Sequence, residues 1–406
     1  MSAVATRPLT RARARVGQRS ERGPLACVIG DMDLVRPLGI AGIRCAVVAR
    51  RWEAPWCSRY VRVRIPWRDP WEQAGELIEA LLAFAARQME PPVLYYQGDP
   101  EMLVIARHHD LLSGPFRFVF PEPRLVEALA DKARFAGVAE QLDLPVPRTR
   151  AIAADDPAAV DTLDLRYPLV LKPTRHLAGW AAVNGTKAID VPNEHALREV
   201  LRRAGAVSTE LILQESIPGP ETRIESHHVY VDRSGEVAGD FTGRKIRTEP
   251  ARFGYSTAVE ITDDPEVRAL GRECVNKLGL RGVAKLDFKR DPDGRLWLLE
   301  INPRFTLWHL PGALAGVNLP ALVFADLTGG RRPSPKPVRA GTTWCELRRD
   351  FEARKAERIP ALRWAAWALR ADAKRSVALD DPMPFVAGIV GRRVLERVAA
   401  ARGSWK

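Results

Sequence analysis

Two short segments decide the fold of this chain: Lys285-Leu286-Asp287-Phe288-Lys289 and Leu299-Glu300-Ile301-Asn302-Pro303-Arg304. Between them lies Asp291-Pro292-Asp293-Gly294, whose residue types are typical of a tight turn. The segments on either side of this turn, 283–289 and 295–301, read as two strands. The stretch therefore predicts a β-hairpin with acidic and amide side chains near its open end.

The polar residues of this hairpin suit a magnesium site. With pairing symmetric about the turn, Asp287 lies opposite Leu298 and Glu300 sits diagonally from Asp287, about 7–8 Å away on the same face. Asn302 follows two residues later on that face. Two carboxylates and an amide oxygen suit Mg²⁺ that also touches substrate phosphates. An exposed ion pair between Lys285 and Glu300, which the same pairing places opposite each other, explains these residues equally well.

The first part of the chain alternates strands and helices. Apolar runs at 25–30 and 93–96 read as buried strands, and the spacing of apolar residues over 71–89 predicts a helix. This alternation predicts a Rossmann-like parallel sheet with helices on its faces. Ligands of such sheets bind beyond the carboxyl ends of the strands. The loops after Gly30 and after Tyr96 are therefore candidate substrate loops.

The rest of the chain differs in pattern, because strands pair locally in hairpins and long helices are few. The fold class is therefore α/β followed by α+β. Proline-bracketed stretches mark the boundaries. We expect a disordered basic arm, a parallel-sheet domain, an α+β domain and a basic, Trp-containing helical C-terminal extension, over residues 1–24, 25–120, 121–330 and 331–406.

Four motifs follow one another in an order that resembles the ATP-grasp superfamily. They are Asp131-Lys132, Tyr167-Pro168-Leu169-Val170-Leu171-Lys172-Pro173, Leu213-Gln214-Glu215-Ser216-Ile217-Pro218-Gly219-Pro220-Glu221 and Glu300-Ile301-Asn302-Pro303-Arg304. The order is similar to the predicted carboxylate–amine ligase branch, which includes D-aspartate ligases. The resemblance covers roughly residues 25–330. It implies a pre-ATP-grasp domain over 25–120 and an ATP-grasp domain over 121–330.

The resemblance implies that several residues hold the triphosphate and its metal ions. Lys132 and Lys172 would reach the α- and β-phosphates of ATP as compact positive charges. Asp287, Glu300 and Asn302 would hold two Mg²⁺, with Mn²⁺ as an alternative, which neutralise the triphosphate. For the two lysines, the competing interpretation is an ordinary solvated surface position.

The resemblance also implies an adenosine site and a substrate clamp. Gln214 and the backbone of Glu215 and Ile217 would form a hinge that hydrogen-bonds adenine. Glu221 matches a position whose carboxylate accepts from the ribose hydroxyls, and a loop carboxylate in water is the alternative. Arg304 matches an arginine that would clamp a carboxylate or the transferring phosphoryl group bidentately.

Two further basic residues and one loop complete the expected catalytic region. Lys245 and Arg247 lie two apart on one predicted strand and would add to the clamp, although an ordinary exposed strand face explains them equally well. The loop over residues 174–185 has only two glycines, whereas many ATP-grasp proteins cover the phosphates with a glycine-rich loop. Either Arg175 and Lys187 replace backbone amides with side-chain charge, or the lid is weak.

The net charge of +12, from 62 Lys+Arg and 50 Asp+Glu, resides at the two ends. Residues 1–24 carry six Arg against one Glu and residues 331–406 carry 18 basic against eight acidic residues, which leaves residues 25–330 at −3. The basic arm lacks interleaved aromatic residues, so we expect no nucleic-acid partner. The helix predicted over 361–373 could lie on an anionic membrane surface, but docking on the chain's own domain is favoured.

Composition and cysteine usage limit the class of protein. A hydrophobic content of 46% excludes a disordered, collagen-like or disulfide-scaffold chain. No apolar run approaches the ~20 residues of a membrane span. Five scattered cysteines without a Cys-x-x-Cys motif predict reduced thiols and a cytoplasmic protein.

Together these observations predict an ATP-dependent ligase that joins a small-molecule carboxylate to an amine through an acyl phosphate and releases ADP and phosphate. It would use Mg²⁺ and could form a homodimer. The alternatives are an ATP-grasp phosphotransferase that acts on a hydroxyl and a non-catalytic nucleotide-binding regulator.

Overall fold

The fold is that of a computed structural model, which describes residues 23–155, 160–175, 180, 186–204 and 210–389. Apart from its last two residues, the predicted basic arm lies outside the described residues. So does most of the predicted lid loop over residues 174–185.

Four parallel strands form the first sheet, in the order β3-β2-β1-β4. The strands and their helices are β1 (Ala26–Ile29), α1 (Met32–Ile40), β2 (Cys45–Ala49), β3 (Val61–Pro66), α2 (Ala74–Ala85), β4 (Val93–Tyr96), α3 (Asp99–Arg107) and α4 (His109–Ser113). The parallel sheet predicted from the alternating pattern is present. The chain order reverses between β1 and β4, which makes the carboxyl ends of these two strands the switch point where ligands bind such sheets.

The second sheet is antiparallel, with the order β5-β8-β6-β7. Its elements and the helices before it are α5 (Pro123–Ala130), α6 (Lys132–Gln141), β5 (Thr149–Ala153), β6 (Leu169–Pro173), β7 (Ile189–Val191), α7 (Glu194–Ala204) and β8 (Glu210–Glu215). Helix α6 begins after Asp131, whose side chain accepts hydrogen bonds from the backbone N–H groups of Ala133 and Arg134. This cap fixes Lys132 at the first position of the helix.

The largest sheet has seven strands, in the order β13-β12-β9-β10-β11-β14-β15. Its elements and associated helices are β9 (Ile224–Val231), β10 (Val237–Glu249), β11 (Tyr255–Thr262), α8 (Pro265–Lys277), β12 (Gly282–Arg290), β13 (Leu296–Asn302), α9 (His309–Leu314), α10 (Leu319–Thr328), β14 (Thr343–Cys345), α11 (Leu347–Ala353), α12 (Ala361–Arg370) and β15 (Ala373–Lys374). The hairpin predicted around Asp291–Gly294 is present as β12–β13, and β9 and β10 form another antiparallel pair.

The segment predicted as a C-terminal extension packs on the domains before it. Strand β14 pairs with β11, and β15 pairs with β14 in parallel. The fully buried Trp344 donates its indole N–H to the carboxylate of Asp33 in α1, at 3.0 Å. Arg375 forms an ion pair with Asp31, in the loop after β1. The basic segment thus contributes two strands to the sheet and contacts the parallel-sheet domain.

No helix among the described residues combines the length and apolar character that a membrane span requires. All five cysteines are free thiols.

Candidate active site

The acidic hairpin contains an irregularity that the sequence did not reveal. Asp287 pairs directly with Glu300, whereas the next residue of β12, Phe288, pairs with Leu298. Leu299 is therefore an extra residue in β13, a β-bulge. The expected diagonal placement of Glu300 is wrong, because the bulge shifts the register by one residue. Direct cross-strand partners stand closer than diagonal ones, at about 4.5–5.5 Å between Cβ atoms.

Asp287 lies in a buried, positively charged environment. Its carboxylate accepts from the ammonium of Lys285 at 2.6 Å and from the hydroxyl of Ser226 on the neighbouring strand β9. Although burial acts to raise the pKa of Asp287, Lys285 and Lys245 outweigh it and hold the pKa well below its ordinary value. The Lys285–Glu300 ion pair considered from the sequence is replaced by one between Lys285 and Asp287.

Glu300, Asn302 and Arg304 follow one another along the end of β13. Glu300 is exposed and accepts from the Asn302 amide at 3.1 Å. Arg304 donates to the Asn302 side-chain oxygen at 3.1 Å, to the backbone carbonyl of Gln97 at 3.0 Å, and to the carboxylate of Asp99. Arg304 therefore joins the acidic hairpin to the loop after β4, one of the two loops predicted to contact substrate.

Lys132 and Lys172 lie close enough to Glu300 to feel its charge. Burial lowers the pKa of Lys132, and Glu300 opposes that shift. Burial, helped by the charge of Lys132, lowers the pKa of Lys172 to about 8, and Glu300 again opposes the shift. The Lys132 ammonium donates to the carbonyl of Pro173 at 3.1 Å. Two lysines and a carboxylate from three different elements thus share one polar region.

The predicted adenine hinge lies at the end of β8, beside Lys172. The Gln214 side-chain oxygen accepts from the Lys172 ammonium at 3.0 Å. The Glu215 N–H donates to the carbonyl of Arg148 at 2.9 Å, whereas the Ile217 N–H makes no hydrogen bond to another described residue. Glu221, next along the chain, acts to raise the pKa of Lys172. Within the hinge, Ile217 therefore keeps a backbone donor that a ligand can use.

Comparison with known proteins bears on the fold of the chain. A family profile described as ATP-grasp in the biosynthetic pathway with Ter operon matches residues 208–349. The solved ADP complex of an N5-carboxyaminoimidazole ribonucleotide synthetase superimposes with a TM-score of 0.61 and 17% identity, covering 79% of this chain and 80% of that chain. The chain has an ATP-grasp domain.

Curated proteins that are similar to this chain include two amino-acid ligases. The D-aspartate ligase of Enterococcus faecium is 26% identical over 239 residues, which are 56% of this chain and 57% of that protein. A D-alanine–D-alanine ligase of Pseudomonas entomophila is 26% identical over 224 residues, 50% of this chain and 65% of that protein. The matched region spans less than two thirds of either relative.

The ATP-grasp hairpin offers donors of the kind that Mg²⁺ prefers. Asp287 and Glu300 are direct cross-strand partners, so their side chains lie on one face, and Asn302 supplies an amide oxygen two residues further along that face. In the described part of the chain, His, Cys, Asp and Glu side chains make no group of three that could hold a metal ion. The residues fit Mg²⁺ as a set of two carboxylates and one amide oxygen.

Lys245 and Arg247, the two further residues expected in the substrate clamp, lie on different faces of β10. Lys245 pairs with Val259 on β11, whereas Arg247 pairs with Ala258, so Ile246 is a second bulge. Val259 and Ala258 are adjacent in β11 and face opposite sides of the sheet. Their partners Lys245 and Arg247 therefore do not share a face, contrary to expectation. Lys245 stays near the acidic hairpin, because its charge acts to lower the pKa of Asp287.

Arg247 is held by the C-terminal segment. Its guanidinium binds both carboxylate oxygens of Asp350 in α11, at 2.7 and 2.8 Å, and its Cζ lies 4.1 Å from the ring centroid of Trp367. Arg247 and Asp350 are 7% and 0% exposed. The structure therefore does not bring Arg247 together with Arg304.

The two basic residues expected to replace the glycine-rich lid are placed differently. Arg175 binds Asp131, the cap of α6, at 2.8 Å. The Lys187 ammonium lies 3.1 Å from the ring centroid of Tyr255. Burial lowers the pKa of Lys187 to about 8, although Glu300 acts in the opposite direction. Lys187 therefore belongs to the group of cations around Glu300.

Sequence reasoning missed two contributors to the site. Ser226 binds Asp287 from β9, and Lys289 lies 3.9 Å from Glu221, between the hairpin and the hinge. Alternation along β12 would have placed Lys289 on the face of Asp287. No local signal marks Ser226, because its role depends on the pairing of β9 with β12.

Proposed function

We propose that the protein is an ATP-dependent ligase that joins a carboxylate to an amine, through an acyl phosphate, with release of ADP and phosphate. The observation that carries the proposal is the grouping of Lys132 and Lys172 around Glu300, with Arg304 beside the loop after β4. The ATP-grasp fold and the ligase relatives support it. Cations gathered around an exposed carboxylate suit a metal-bound triphosphate better than a lone anion.

In this proposal, the second sheet and the hairpin hold ATP between them. Gln214, Glu215 and Ile217 contact adenine and Glu221 contacts the ribose. Lys132 and Lys172 bind phosphate oxygens. Mg²⁺ or Mn²⁺ bound by the hairpin residues Asp287, Glu300 and Asn302 would supply charge neutralisation of the triphosphate. The chain itself contributes position and positive charge, which dominate catalysis of phosphoryl transfer.

The reaction takes place in two steps. First, a carboxylate oxygen of the substrate attacks the γ-phosphorus of ATP, the bond to the β-phosphate oxygen breaks, and ADP leaves. Arg304 and Lys245 hold the carboxylate and stabilise negative charge on the transferring group. Second, the amine attacks the acyl carbon, phosphate leaves, and the amine nitrogen loses a proton. The product is an amide.

The proposal extends to substrate entry, cellular location and assembly. The substrates are small molecules that enter from the parallel-sheet side, near Gln97 and Asp99, because Arg304 contacts that loop. The enzyme works in the cytoplasm, where ATP and Mg²⁺ are available, and a homodimer is its proposed assembly.

A coupled assay of ADP release with acid–amine pairs tests the proposal. We expect release that requires both substrates, and loss of release in Glu300→Ala, with Glu79→Ala as the control because Glu79 is an exposed acid of α2. Full activity of Glu300→Ala would overturn the metal assignment. ADP release without an amine, with a phosphorylated product, would identify a phosphotransferase, and nucleotide binding without release would identify a regulator.

A further inference from the structure

A cleft of about 590 Å³ opens at the carboxyl ends of β2 and β3, apart from the nucleotide site. Ala49 and Pro66, the last residues of these strands, lie at its base. The carboxyl edge of a parallel sheet is where such domains bind ligands. None of the roles assigned above to the ATP-grasp site uses this cleft.

One side of the cleft is basic. Arg50 and Arg51 follow β2 directly, and each guanidinium lies 5.2 Å from the centroid of an indole ring, that of Trp67 for Arg50 and that of Trp52 for Arg51. Stacking on an indole orients a guanidinium while leaving its N–H groups free to donate. Arg51 forms no ion pair with any residue that the structure describes, and Arg50 has only an exposed partner, Glu53, at 3.4 Å.

The cleft also has acidic lining residues. Asp69 and Glu72 precede α2, and one oxygen of Asp69 accepts from the backbone N–H groups of Trp71 and Glu72, at 2.9 and 3.3 Å. These two bonds fix the direction of the Asp69 carboxylate. Its other oxygen makes no hydrogen bond to a described residue, and the Glu72 side chain is exposed. The acidic residues can therefore accept hydrogen bonds from a ligand.

Two indoles, those of Trp56 and Trp67, also line the cleft. They provide apolar surface in a cleft whose other lining groups are charged or polar. A ligand that satisfies all three parts carries an anionic group, a cationic group and an apolar body. A singly charged ligand would leave one side unpaired.

One acidic residue of the cleft, Asp69, influences Glu101 of α3. The charge of Asp69 acts to raise the pKa of Glu101 in α3, whereas the charge of Arg304 acts to lower it. The pKa of Glu101 therefore responds both to Asp69 of the cleft and to Arg304, which contacts the acidic hairpin.

We propose that this cleft binds a zwitterionic amino acid or short peptide end, with its carboxylate at Arg50 and Arg51, its ammonium at Asp69 and Glu72, and its side chain on Trp56 and Trp67. The role of this ligand as the amine substrate rests on the proposed ligase function. The binding site itself does not, because the cleft exists without nucleotide.

Three related probes test the cleft in the full chain without nucleotide: L-tryptophan, tryptamine, which lacks the carboxylate, and indole-3-propionate, which lacks the amine. Isothermal titration should give L-tryptophan a Kd about three- to fivefold lower than either analogue, the size expected for one exposed ion pair. Arg51→Gln should remove the preference over tryptamine, and Glu72→Gln the preference over indole-3-propionate. Arg87→Gln, an exposed arginine outside the cleft, should preserve both.

Several outcomes would overturn the site. These are equal affinity for the three probes, an equal loss of all three in Arg51→Gln, or no binding by protein whose far-ultraviolet spectrum and thermal midpoint show that it is folded. ADP release is measured separately. Probe binding with no ADP release for any acid–amine pair refutes the ligase and leaves the cleft, whereas ADP release without probe binding refutes the cleft alone.

Discussion

Asp287 stands directly across the β12–β13 ladder from Glu300, because Leu299 is bulged out of the pairing. The two carboxylates differ in their surroundings. Asp287 is 2% exposed and ion-paired with Lys285, whereas Glu300 is exposed and surrounded by lysines at longer range. One acid is therefore already neutralised by the protein, and the other is the freer ligand.

Replacing Glu300 should affect metal-dependent binding more than binding itself. Mg²⁺ should strengthen ATP binding by a factor at least about tenfold smaller in Glu300→Gln than in the wild type. The reason is that the substitution removes a metal ligand while the lysines remain. Titration calorimetry with and without Mg²⁺ measures this. An unchanged Mg²⁺ enhancement would show that Glu300 is not a ligand. Glu79→Gln serves as the matched control.

The affinity for ATP should fall as the pH rises through about 8. Lys172 and Lys187 both have pKa values lowered by burial to about 8 in the free protein, and only their protonated forms attract phosphate. Lys172→Arg should make the pH dependence shallower, since arginine keeps its charge. Dissociation constants measured from pH 7 to 9.5 decide the point. The same slope in wild type and variant would remove Lys172 from the phosphate site.

Arg247 and Asp350 should matter for folding. Asp350→Asn leaves the Arg247 charge buried without its partner, which costs about 3–5 kcal/mol in the free energy of unfolding. Glu352→Gln, which breaks the exposed pair between Glu352 of α11 and Lys355 just after that helix, should cost less than about 1 kcal/mol. Urea unfolding compares the two. If Asp350→Asn is no less stable than Glu352→Gln, the pair is not what holds α11 to β10.

The Arg247–Asp350 pair also allows a test of the prediction that Arg247 belongs to the substrate clamp. The fraction of Asp350→Asn that remains folded should keep the wild-type affinity for ATP with Mg²⁺, because Arg247 does not reach the acidic hairpin in the structure. A change in substrate KM without a change in stability would instead place Arg247 in the clamp.

Asp33 should make the protein less stable as the pH rises from about 4 to about 7. Burial raises its pKa to about 7, despite the nearby Arg375, so over this range the folded protein keeps a proton that the unfolded chain has released. Asp33→Asn should reduce the loss of stability between pH 5.5 and 7.5, measured by urea unfolding. Asp110→Asn, an exposed acid, should follow the wild type. Parallel curves for wild type and Asp33→Asn would contradict the raised pKa.

Local sequence patterns identified the elements whose burial is uniform. Strands β1 and β4 are continuous, fully buried apolar runs. Strand β3 was missed because its arginines alternate with apolar residues and half of it is exposed. Strands β14 and β15 were missed because they are very short and exist only through pairing with β11 and each other.

The candidate site likewise has features that local sequence predicts and features that it does not. The residue types of the acidic hairpin and the two lysines could be predicted because the ATP-grasp motifs are contiguous in sequence. The bulges at Leu299 and Ile246 could not, since a one-residue shift is set by the neighbouring strands and the groups that must pack between them. The partner of Arg247 lies 103 residues away, where no local pattern indicates it.

The pairing of β14 and β15 has a consequence for how the protein is made. Strand β11 lacks its outer neighbour until residues 343–345 have been synthesised, and β14 lacks its own until Lys374 has left the ribosome. The sheet that carries Asp287 and Glu300 is completed only after residue 374 has been made, and part of the parallel sheet shares its core with residues as late as Trp344. A ribosome that stalls before residue 374 would therefore display an open strand edge to the chaperones and proteases of the cell.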